Sequence, residues 1–79
     1  MGAEGKEVNR LRKYIERMPG GREARIAYAM TAAALPEPRP QSKWHEVAPF
    51  SAADELLAEP GLKTVFKAAI ERGFAIARA

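Results

Sequence analysis

Apolar residues recur at helical spacing in the first third of the chain. Val8, Leu11, Ile15 and Met18 are separated by three, four and three positions, which predicts one face of a helix over residues 4–18. Lys6, Arg10, Lys13 and Arg17 fall on the opposite face at similar spacings. Pro19-Gly20-Gly21 stops that helix, because proline removes a donor and glycine accepts a left-handed cap. A second helix is predicted over residues 22–35. Ile26, Met30 and Ala33 face inward, and the alanines around them favour helix. The short break between the two predicts an antiparallel helical hairpin.

Residues 36–50 read differently. Pro36, Pro38, Pro40 and Pro49 forbid a regular helix and predict an extended connector. At ~3.1 Å per residue it spans ~40 Å, enough to cross a small domain. Trp44 and Phe50, helped by Val47, are the expected anchors that hold it to the rest of the fold. Ser51 and Asp54 form a capping-box pattern that starts a short third helix, with Leu56 and Leu57 inward. Glu59-Pro60-Gly61 ends it. A fourth helix follows to Arg72, with Leu62, Val65, Phe66, Ala69 and Ile70 inward and Gly73 as its cap. Residues 74–79 extend this helix or fold back on the core. The expected fold is therefore an all-α, four-helix single domain over residues 1–79, with the proline-rich connector packed on it.

Composition narrows the chemistry. The chain has 79 residues, no cysteine and one histidine. Disulfides, thiolate nucleophiles and cysteine–zinc sites are excluded, and no metal site or cofactor motif is read. No apolar run is long enough for a membrane helix. Residues 1–10 carry charges and no apolar core of a secretory signal. Met1-Gly2 opens like a myristoylation signal, but Lys6 stands where Ser or Thr is required. A cytoplasmic protein without a membrane partner is expected.

Charge is uneven. Up to Tyr28 there are seven basic residues and four acidic ones, 7 − 4 = +3, which equals the net charge of the whole chain. Lys6, Arg10, Lys13 and Arg17 are thus the candidate contact with a nucleic acid or an acidic partner. A helix-turn-helix over residues 52–72 is disfavoured, because Lys67 falls where a buried apolar residue belongs. Catalysis has little to rest on. His45 and Glu46 are neighbours that point apart on an extended chain, Asp54 is the only aspartate, and no phosphate-binding glycine loop is present. No small-molecule substrate is evident. The expected function is a small non-enzymatic protein-interaction or regulatory module, dimeric or bound to a protein partner. The alternative is a nucleic-acid-binding protein that uses the basic face of the first helix.

Overall fold

The computed structural model describes residues 8–78. It is not an all-α bundle. Four strands, β1 (Arg12–Arg17), β2 (Glu23–Ala29), β3 (Lys43–Val47) and β4 (Phe74–Arg78), form an antiparallel sheet in the order β3-β1-β2-β4. Two helices, α1 (Ala52–Ala58) and α2 (Leu62–Arg72), lie between β3 and β4 in sequence.

Both expected N-terminal helices are corrected to the two strands of a hairpin. The part of the first one over residues 4–7 lies outside the described residues. The turn between the strands shows why. Gly20 adopts φ 85°, ψ 2° and follows Pro19, the combination that a type II turn requires. Gly21 is also left-handed at φ 84°. The Gly21 N–H donates to the Met18 carbonyl at 3.0 Å, and the Met18 N–H donates to the Arg22 carbonyl at 2.7 Å. The chain therefore reverses within a few residues and pairs Ile15 with Ile26 and Tyr14 with Ala27. Tyr14, Ile15, Ile26 and Tyr28 are aromatic or β-branched and suit this pleated, packed surface.

Direction dictates the rest. β2 and β3 are both antiparallel to β1, so they run the same way with β1 between them. The chain from Ala29 to Lys43 must cross one face of the sheet. Tyr14, Glu16, Ala27 and Ala29 lie on that face and are buried. The expected connector does cross the fold, but its second half is strand β3, not extended packing throughout. The helices cover the other face. Tyr28, Leu11, Ala52, Leu62, Phe66 and Ala69 form the core there. The Tyr28 ring lies 4.9 Å from that of Phe66, edge-on, and 5.8 Å from that of Phe50.

The two helices follow local signals. The Ser51 Oγ accepts from the Asp54 N–H at 3.3 Å, and Asp54 and Glu55 sit in the first turn of α1. Gly73 closes α2 at φ 97°, its N–H donating to the Ala69 carbonyl at 2.8 Å. One inward assignment fails. Leu56 is half-buried, but Leu57 is 83% exposed.

Candidate functional site

α2 packs on β4 and β2, the far side of the sheet from β3. Ile15 on β1 and Val47 on β3 lie outside the core cluster. Beyond the point where α1 reaches β1, no described element covers the β1–β3 half of the helix-side face. Side chains at alternate strand positions share a face, so this half-face carries Lys13, Ile15 and Arg17 from β1 and Lys43, His45 and Val47 from β3.

The register sets their neighbours. Lys13 lies opposite Val47, Ile15 opposite His45, and Arg17 opposite Lys43. Directly opposed residues are ~5 Å apart, and like charges so placed repel. Among the described residues neither Arg17 nor Lys43 forms an ion pair. Both are exposed, as are His45 and Arg22 in the adjacent turn, while Ile15 is half-buried. Glu23, opposite Arg17 on β2, is the one strand carboxylate at this end of the face. The result is a rim of guanidinium and ammonium groups beside a flat patch of Ile15 and His45. Such a surface suits a phosphate chain with bases or other flat groups resting on the patch.

Among the described residues, Arg10, Lys13 and Arg17 of the expected basic stripe do not line up as one. Lys6 lies outside the described residues. Arg10 is exposed in the turn before β1. There it borders a cleft of about 420 Å³ together with Arg12, Glu46, Leu11, Met30 and Phe50. Lys13 is engaged, its Nζ donating to the Glu55 Oε1 at 3.3 Å, the same oxygen that accepts from the Tyr28 hydroxyl at 3.2 Å. Arg17 alone stays free at the rim. Lys13 and Arg17 still share a face because a separation of four returns to the same side of a strand as well as of a helix. Lys43 and His45 were missed. Their place is set by pairing with a strand far away in sequence, which no local pattern reports.

Trp44 and Phe50 act at different places. Trp44 is half-buried, and its Nε1 donates to the Pro36 carbonyl at 2.8 Å. The Arg25 guanidinium lies 5.2 Å from its ring centroid. Phe50 packs on the helix-side core. Beside Trp44 sits Glu16, fully buried. Its Oε1 accepts from Arg25 Nε at 2.7 Å. Its Oε2 accepts from Arg25 Nη2 at 2.9 Å and from the Arg39 backbone N–H at 2.6 Å. The Arg25 hydrogen bonds outweigh desolvation and, with the Arg39 N–H, hold the Glu16 carboxyl down at about 2. This group fastens the connector to β1 and β2. It is satisfied on every side and offers no free donor or acceptor for chemistry.

Among the described residues no group of three or more His, Cys, Asp or Glu side chains is placed to hold a metal ion. No described helix is long and apolar enough to cross a membrane. Comparison with family models, with curated proteins and with solved structures yields no match.

Proposed function

We propose that the chain is a small, non-enzymatic nucleic-acid-binding protein that holds single-stranded backbone along the β1–β3 half of the sheet. The observation that carries this is the Arg17–Lys43 opposition beside Ile15–His45 on an uncovered face. An anion laid between the two cations relieves their repulsion, and exchange of condensed counterions drives its binding. The net charge of +3 favours the encounter. Contacts of this kind read backbone and stacking surfaces rather than sequence. The N-terminal helix expected to supply the contact gives way to β1, and of the expected residues that the structure describes, Arg17 is the one that stands exposed at this rim.

The test is anisotropy of labelled single-stranded DNA and RNA oligonucleotides at about 50 and 200 mM salt. Expected is binding that weakens with salt, and an Arg17→Glu/Lys43→Glu double variant that loses at least about tenfold and has a shallower salt slope by about 1–2. The far-ultraviolet spectrum of the variant stays unchanged. No binding at the lower salt, or binding indifferent to the double substitution, overturns the reading. Equal affinity for duplex removes the single-strand preference.

A further inference from the structure

We infer that the cleft at the Arg10 end of the sheet binds a small free aromatic acid, with a flat apolar body and one carboxylate. This does not depend on nucleic-acid binding. The basic rim of Arg17 and Lys43 lies at the other end of the same two strands.

The cleft opens because the ladders end unevenly. The β1–β3 register stops at Lys13–Val47, whereas the β1–β2 register continues to Arg12–Ala29. After Val47 the chain leaves the sheet through Ala48 and Pro49 to Phe50, which packs on the core. On the other side it enters β1 from a turn in which the Leu11 N–H donates to the Val8 carbonyl at 3.1 Å. The gap between them measures about 420 Å³, within the roughly 300–1,000 Å³ of clefts that hold small ligands.

Its lining has two parts. Leu11, Met30, Val47 and Phe50 give an apolar wall. Leu11 is buried, and the other three are half-buried and still show apolar surface. The Phe50 ring suits a flat partner, and the unbranched Met30 side chain adjusts to its shape. Asn9, Arg10, Arg12 and Glu46 form the polar part. Arg12 Nη1 donates to Glu46 Oε2 at 3.4 Å, and Arg10 forms no ion pair among the described residues. Two cations against one carboxylate leave a single positive charge in excess, which a monoanion neutralises. A planar guanidinium presents paired N–H donors that match a carboxylate. Arg10 is open to supply them. A neutral ring leaves that charge unanswered, and an amine is repelled by it.

Glu46 gives the site a signature. Its carboxylate competes with an incoming acid for Arg12, and an exposed pair of this kind holds weakly. Removing the Glu46 charge therefore favours the ligand, whereas a structural prop would weaken the site when lost.

The experiment titrates the full chain with naphthoate and follows the amide resonances of the isotope-labelled protein. Saturable shifts are expected, centred on residues 9–12 and 46–50. Naphthylmethanol and naphthylmethylamine are expected to bind at least about tenfold more weakly, the size of one charge-assisted hydrogen bond. Arg10→Glu is expected to lose at least about tenfold for the same reason. Lys67→Glu makes the same charge change at an exposed site on α2 outside the cleft, and is expected to lose nothing. Glu46→Gln is expected to bind naphthoate several-fold more tightly. No saturable shift at millimolar naphthoate, or shifts centred instead on Arg17 and Lys43, overturns the proposal. Equal binding of the alcohol, indifference to Arg10→Glu, or weaker binding by Glu46→Gln does so too. A peptide ending in phenylalanine carries the same carboxylate and ring on a chain. If it binds more tightly than naphthoate, the assignment to a free acid is overturned in favour of a protein C-terminus.

Discussion

Glu16 is the residue on which the connector side of the sheet turns. It is charged, fully buried, and bound by two groups that arrive from nine and twenty-three positions away. In the chain it reads as one more polar position of a helix, because nothing local shows that Arg25 and Arg39 will meet it. Its folded carboxyl titrates at about 2, against an ordinary value of 4.5. The depressed value fixes the sign. The group stabilises the fold fully above the unfolded value, and that contribution is lost as pH falls from 4.5 towards 2. Glu16→Gln keeps the size but leaves Arg25 without its charge partner, and breaking a buried pair from one side costs ~3–5 kcal/mol. Urea unfolding is expected to show the variant less stable at neutral pH, with the gap to the wild type closing on acidification. A gap that stays constant through the acid range refutes this role.

At the scale of elements, the turn of the β1–β2 hairpin decides between two readings of the same residues. Pro19-Gly20-Gly21 ends a helix or reverses a strand equally well by composition, and only the two left-handed glycines commit it to the second. Open space surrounds both glycine positions, so a methyl group there meets no neighbour and the effect is one of backbone alone. Gly20→Ala and Gly21→Ala are each expected to cost ~1 kcal/mol, read as a lower thermal midpoint with an unchanged folded spectrum. No loss at either position excludes the left-handed turn.

The same contrast explains which elements were legible. α1 and α2 are announced by caps within a few residues, Ser51 with Asp54 and Gly73. β2 is not, because the sheet is covered on both sides there. Tyr28 packs towards the helices and Ala27 and Ala29 lie under the connector, so apolar residues fill both phases of the strand and the period of two disappears. Small alanines admit the crossing chain, yet they read as strong helix formers. β3 hides in the proline-rich stretch for a related reason. Its pairing partner is β1, about thirty residues earlier. The candidate site divides along the same line. Arg17 is visible as part of a basic run, whereas Lys43 and His45 gain meaning only from the register.

For the whole molecule, the connector solves a problem of size. A chain this short buries little apolar surface, and a core below ~80 residues rarely supplies more than ~3–5 kcal/mol. Covering one face with helices and the other with residues 30–42 gives the sheet two buried sides. The second cover has only one short 3-10 turn, Ala32–Ala34, and no strand ladder to hold it. It is held by the Glu16–Arg25–Arg39 contacts and by Trp44, whose indole N–H reaches the Pro36 carbonyl and whose ring takes the Arg25 guanidinium. Trp44→Ala is therefore expected to cost ~3 kcal/mol or more, most of what such a core supplies, and to broaden the unfolding transition. Trp44→Phe retains a ring near Arg25 but leaves the Pro36 carbonyl without its donor, at ~1 kcal/mol. Limited proteolysis separates the loss of this cover from global unfolding. In Trp44→Ala, cleavage is expected first within residues 30–42, while α1 and α2 stay intact and Phe74 and Ile76 remain paired to β2. Uniform cleavage along the chain makes the two covers a single cooperative unit instead. Arg17 and Lys43 lie on the opposite face, so a Trp44→Ala protein that is still folded keeps its oligonucleotide affinity, and a parallel loss of both ties the basic rim to the connector.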